Sequence, residues 1–164
     1  MNPLRSPRLL LGAIGLGGIA LVAGGIALAR TMNLAACPLC ILQRMLYLLL
    51  AAEALLLLPL AGADLARRLA ALAMMATAAT GAFVAGYQTW LQRFAKGVEC
   101  TADQPWWEQF VNWAGAQLPL LFEATGLCSE AGWKFLGLSI AEWSLIIFSA
   151  MALVALRAAL LRQR

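Results

Sequence analysis

Four cysteines and no histidine set the chemistry open to this sequence. Two of them form Cys37-Pro38-Leu39-Cys40. A two-residue spacer suits a disulfide that opens and closes readily, and such motifs lower thiol pKa values. Cys40 falls where an apolar helix is expected to begin, so exposed backbone N–H groups and the positive end of the helix dipole favour a thiolate there. Arg44 follows one turn later on the same face. An arginine in the first turns of a membrane helix is costly and usually functional. Its guanidinium there can stabilise the Cys40 thiolate or donate to a carbonyl oxygen of a bound acceptor; snorkelling to the lipid headgroups is the plainer alternative.

The other two, Cys100 and Cys128, lie far apart in one long loop. Taken alone, such a pair reads as a structural bridge worth roughly 3 kcal/mol. A four-cysteine zinc site ordinarily draws its ligands from two closely spaced couples, and only one is present, so no metal site is expected. From the cysteines alone, three classes stay open: a redox enzyme, a scaffold stapled by its loop, and a thiolate metal handler.

The elements that must hold these residues are membrane helices. The 164 residues are 63% apolar and only 12% charged, against about 45–50% and 25% in soluble domains. A soluble chain of this size could not hide so much apolar surface. The basic residues are scattered and suggest no nucleic acid partner. Segments 9–29, 41–60, 69–91 and 140–161 are each long enough to cross a hydrocarbon core, and each must be helical because lipid offers no partner to backbone polar groups. The expected architecture is all-α: a four-transmembrane-helix bundle forming one membrane domain over 1–164, with a short turn at 61–68 and a long loop at 92–139.

Orientation follows from the basic flanks. With the N-terminus inside, Arg5, Arg8, Arg67, Arg68, Arg157, Arg162 and Arg164 are cytoplasmic, while Arg30, Arg93, Lys96 and Lys134 lie outside. Both termini are then cytoplasmic, and all four cysteines face the oxidising side, the periplasm of a bacterium, where disulfides persist. Ala27-Leu28-Ala29 after the first apolar run also resembles a signal-peptide cleavage site. Against this, the run is longer than such signals need and carries small residues at Ala13, Gly17, Ala20, Gly24 and Ala27, a spacing that lets a neighbouring helix approach. Ala66, Ala70, Ala73, Thr77 and Thr80 repeat the pattern in the third span. In the loop, Trp106, Phe110 and Trp113 recur at helical spacing within 105–117, with Trp107 adjacent, which predicts a short amphipathic helix lying on the membrane. Glu53, near mid-membrane, is expected to be protonated or hydrogen-bonded inside the bundle, with Thr77 or Thr80 as the candidate partners.

The segment Cys37-Pro38-Leu39-Cys40-Ile41-Leu42-Gln43-Arg44 resembles the active-site segment of the DsbB family of bacterial quinone-dependent thiol oxidases. Gly126-Leu127-Cys128-Ser129-Glu130, followed by Trp133-Lys134-Phe135-Leu136-Gly137-Leu138, is similar to the end of that family's second periplasmic loop. Vitamin K epoxide reductase-like proteins are the nearest neighbours in chemistry, but their CxxC lies in a later helix. The resemblance covers almost the whole chain. It implies a Cys100–Cys128 disulfide reduced by a DsbA-type periplasmic thioredoxin-fold partner, which attacks Cys100. It further implies that Cys128 attacks Cys37 and that Cys40 leaves as a thiolate. The electrons then pass to ubiquinone or menaquinone held near Arg44, in the bacterial inner membrane. A DsbA-type disulfide is a strong oxidant with a known potential of about −120 mV, so its reoxidation needs a stronger terminal oxidant such as a membrane quinone.

Overall fold

A computed structural model describes residues 6–57, 64–95 and 105–161. Its elements are helices α1 (Pro7–Thr31), α2 (Pro38–Leu57), α3 (Asp64–Phe94), α4 (Trp106–Gln117) and α5 (Pro119–Phe122), a two-stranded ribbon of β1 (Lys134–Phe135) and β2 (Leu138–Ser139), and α6 (Ile140–Leu160). Four of these helices, α1, α2, α3 and α6, are long and apolar enough to cross a membrane. They close a ring in which α1 packs on α2 and α6, and α3 packs on α2 and α6.

The helix ends follow local chemistry. Pro7 occupies the first turn of α1, where a missing N–H costs nothing. At the other end, Asn33 takes a positive φ of 51° and the Leu34 N–H returns to the Ala29 carbonyl, 2.9 Å away. This closes α1 and turns the chain towards Cys37. α6 opens with a reciprocal capping box: the Ser139 hydroxyl accepts from the Glu142 N–H while the Glu142 carboxylate accepts from the Ser139 N–H. Leu136 and Gly137 both have positive φ, which suits the tight turn between β1 and β2.

Three spans begin earlier than expected, the first at Pro7. α2 starts at Pro38 and α3 at Asp64, so residues 64–68 of the expected inner turn are helical. Arg67, expected as a charged flank, is buried instead: it donates to the Ala158 carbonyl at 2.8 Å and pairs with Asp64 at 3.0 Å. Those two acceptors take one hydrogen bond from each terminal nitrogen of the guanidinium, while the buried Nε is left without a partner.

The core runs through Leu11, Ile14, Tyr47, Leu50, Met74 and Phe148, with the Tyr47 and Phe148 rings stacked at 4.0 Å across the bundle. The small-residue faces differ from expectation. Ala13, Ala20 and Gly24 of the predicted stripe are exposed, whereas α2 meets Gly15 and Gly18. A Cβ on Gly15 would lie 2.4 Å from the Ala54 Cβ, and one on Gly18 would lie 2.6 Å from the Tyr47 carbonyl oxygen. In α3 only Ala70 of the predicted stripe is buried; the packed face is Ala71, Met74, Ala78 and Gly81. Both helices carry small residues on more than one face, so spacing alone does not choose the face; the bulk of the facing side chains does. Glu53 is as expected, accepting from the Thr77 hydroxyl at 2.7 Å, while Thr80 turns back to its own helix.

Candidate functional site

Cys37 stands immediately before α2 and caps it. Its carbonyl accepts the first helical bond from the Ile41 N–H at 3.1 Å, and its Sγ accepts from the Cys40 N–H at 3.3 Å. Pro38 fits the first helical position because it has no N–H to leave unpaired. The CxxC spacing therefore puts one sulfur at the cap and the other in the first turn, with Sγ atoms 3.0 Å apart and both thiols free. The Cys37 thiol thereby takes one of the orphan N–H groups of the helix end.

Cys128 is brought to the same place. Thr125 and Gly126 both donate their N–H to the Ala36 carbonyl at 2.9 Å, strapping the loop across the approach to α2. The strap lies so close that a Cβ on Gly126 would sit 2.5 Å from the Ala35 carbonyl oxygen. Two residues on, Cys128 packs against Cys37 in a small apolar cluster with Leu39, Val84 and Trp107. Cys37 is thus the middle sulfur of three. Its thiol is held above the ordinary range, because Cys128 and Cys40 take its hydrogen bond and burial disfavours its charge. The Cys128 thiol is pulled below the ordinary value by the bond from Cys37, against the opposing effect of burial and with help from the Leu39 N–H. Among the three free thiols the arrangement keeps the proton on Cys37 and favours the anion on Cys128. Cys100, the expected partner of Cys128, lies outside the described residues, and Cys128 is a free thiol here.

An amide pair underlies the CxxC. The Gln88 side-chain NH2, from α3, donates to Cys37 Sγ at 3.2 Å and to Cys40 Sγ at 3.1 Å. The Gln43 NH2, from α2, donates to the Gln88 carbonyl oxygen at 2.7 Å. Both amides are buried. A buried amide left without partners costs about 1–3 kcal/mol, so their pairing accounts for their place in an apolar span. Sequence reasoning set Gln43 beside Arg44 but missed Gln88. The available signal was a lone amide inside the third apolar span.

Arg44 lies one turn below Cys40, as expected, and donates to the Leu121 carbonyl of α5. It borders two cavities. One, of about 140 Å³, is lined by Leu21, Val22, Leu28, Cys40, Gln43, Arg44, Tyr47 and Ser144. The other, about 340 Å³ and more polar, lies outward between Arg30, Arg44, Pro119, Leu120 and Glu123. The first suits a flat, weakly polar ring: its walls are mostly apolar, from α1, residues 34–36 and Ile140, while a sulfur, an amide, a guanidinium, a phenol and a hydroxyl line the rest. Its volume far exceeds the roughly 10–15 Å³ that holds one water. In α4, Val111 and Ala114 face the protein, while Trp106, Phe110 and Trp113 point outwards, with Phe110 and Trp113 stacked at 6.0 Å. The predicted stripe is therefore the outer face of a helix over Trp106–Gln117.

The chain is similar to known proteins over most of its length. The family model for disulfide bond formation protein DsbB matches residues 7–158. A disulfide bond formation protein B of Dechloromonas aromatica is 44% identical over 142 residues, covering 84% of this chain and 83% of that protein. Its namesake from Nitrosospira multiformis is 35% identical over 164 residues, covering 99% and 96%. That of Nitrosomonas europaea is 38% identical over 148 residues, covering 84% and 87%.

Proposed function

Since the chain belongs to the DsbB family, membrane oxidoreductases that reoxidise DsbA and pass the electrons to quinone, we propose that Cys37, Cys40, Cys100 and Cys128 are its relay and that Arg44 borders its quinone site. The observation that carries this reading is the contact of Cys128 with Cys37, beside a cavity bordered by Cys40 and Arg44.

The relay runs from the loop to the membrane. The thiolate of a reduced, DsbA-type thioredoxin-fold partner attacks Cys100 of a Cys100–Cys128 disulfide, and Cys128 is released. Cys128 then attacks Cys37, the Cys37–Cys40 bond breaks, and Cys40 takes the bonding pair as a thiolate. The partner's second thiolate closes the partner's own disulfide and releases Cys100, and Cys100 then attacks Cys128 and frees Cys37, so that Cys37 and Cys40 are left as a dithiol. A bound quinone would supply the two-electron sink that returns this pair to the disulfide. Arg44 would donate to a quinone carbonyl oxygen through its guanidinium N–H groups and balance the charge of Cys40. Tyr47 and Ser144 border the same cavity and give the ring further polar edges. Ubiquinone and menaquinone both satisfy this chemistry.

The basic flanks support a topology with both termini cytoplasmic and the CxxC, α4 and the loop periplasmic. The outward aromatic residues of α4 would then rest in the membrane interface. The shared core of the four spans supports one membrane domain over 1–164.

The test mixes purified protein with a reduced DsbA-type partner and a soluble quinone, following quinone absorbance and partner thiols together. Equal loss of both, abolished by Cys40→Ser, is expected. No turnover with either quinone class would overturn the assignment of the relay.

A further inference from the structure

We propose that Gln88 is a catalytic residue of the relay, a forked donor whose amide stabilises Cys40 as it leaves Cys37, and that Gln43 is the positioning residue that aims it. This rests on the relay assigned above. The geometry is specific. One NH2 group reaches both sulfurs of the CxxC, at 3.2 and 3.1 Å. An amide can present either its oxygen or its nitrogen, and the oxygen would repel a thiolate. Gln43 removes that choice, because its own NH2 occupies the Gln88 oxygen at 2.7 Å. Both side chains are almost wholly buried, which strengthens these bonds.

The consequence falls on the exchange step. As the Cys128 thiolate bonds to Cys37 Sγ, the Cys37–Cys40 bond breaks and Cys40 departs with its electron pair. One disulfide is exchanged for another and no oxidant is consumed. Charge moves from Cys128 to Cys40 during the step, and the Gln88 N–H on Cys40 is in place before it arrives, as an oxyanion-hole donor is. Arg44 contributes from one turn below, but at the level of the second sulfur only. Gln88 is the neutral group that spans both sulfurs, so it follows the charge without pinning it to one of them.

The test uses the full-length chain carrying Cys100→Ser and Cys128→Ser, so that only the Cys37–Cys40 couple titrates. It is equilibrated with glutathione redox buffer without quinone, and the thiols are trapped and mapped by mass. Stabilising the thiolate favours the reduced couple. Gln88→Leu should therefore shift the equilibrium towards the disulfide about tenfold or more, the scale of a hydrogen bond to a charged group; tenfold is about 30 mV for a two-electron couple. Cys40 alkylation at pH 7 should slow by a similar factor. Gln88→Glu keeps the shape but sets a carboxyl against the sulfurs, and should shift the equilibrium at least as far. Gln43→Leu should shift it less, because it frees the amide to turn without removing it. A merely structural amide would change thermal stability and leave the equilibrium alone. Unchanged constants in Gln88→Leu and Gln88→Glu overturn the role of Gln88, even in a chain that turns over with partner and quinone. A parent chain without that turnover overturns the relay instead.

Discussion

Gly126→Ala should uncouple the two cysteine pairs while leaving each intact. The added Cβ would lie 2.5 Å from the Ala35 carbonyl oxygen and 3.0 Å from its carbon. Ordinary contact begins near 3.4 Å, so the strap must retreat by 3.4 − 2.5, or 0.9 Å. The obstacle is backbone, which has no rotamer to swing aside. The same retreat stretches the two 2.9 Å bonds from Thr125 and Gly126 to the Ala36 carbonyl out of hydrogen-bonding range. Each is worth about 1 kcal/mol, so docking of the strap weakens by about 2 kcal/mol, near thirtyfold. A displacement of about 1 Å in a reacting group can itself cost on the order of 100-fold. Cys128 sits two residues from the strap, so attack on Cys37 should slow by roughly 30- to 100-fold. The assay compares two rates. Oxidation of the reduced partner with quinone present passes through both pairs and should fall by that factor. Quinone reduction driven by dithiothreitol in a Cys100→Ser, Cys128→Ser background uses Cys37–Cys40 alone and should stay within about twofold, since the substitution leaves that pair untouched. Equal losses in both assays, or none in either, would refute the view that this strap delivers Cys128.

Three further outcomes test other parts of the site and the fold. Arg44→Ala removes the guanidinium from the cavity beside Cys40 and its bond to Leu121; the KM for quinone should rise about tenfold or more, read from steady-state quinone absorbance, with the rate of partner mixed-disulfide formation unchanged. Gly81→Ala drives a Cβ to 2.4 Å from the Phe148 ring, where α3 meets α6; the cost should be about 1–3 kcal/mol, seen as a lower Tm in detergent. Glu53→Gln keeps an acceptor for Thr77, so turnover with quinone should remain within about twofold, as expected of a group outside the relay.

Much of this protein is legible in its sequence, because the bilayer imposes rules that apply residue by residue. Apolar runs of spanning length must be helices, since backbone polar groups have no other partner in lipid, and all four appear with their ends moved by a few residues. The CxxC and Arg44 are local, fixed by a turn of one helix, so their spacing alone places them together. The tryptophan stripe likewise predicts the helix at Trp106–Gln117, because its period belongs to one element.

Tertiary structure decided everything that joins one element to another. Which small residues touch was misread at Ala13 and Gly24, because a face free of bulk is permissive and only the shape of α2 selects Gly15 and Gly18. Arg67 reads as a topology signal, yet Asp64 and the end of α6 bury it. Cys128 is far from Cys37 in sequence, and the strap on Ala36 helps to bring them into contact. Gln88 carries no spacing signal relative to Cys37 or Cys40; it meets them because α3 packs on α2 at the depth of the CxxC. The sequence determines elements through the solvent around each one, whereas contacts between elements depend on three-dimensional fit, which no period along a single chain encodes.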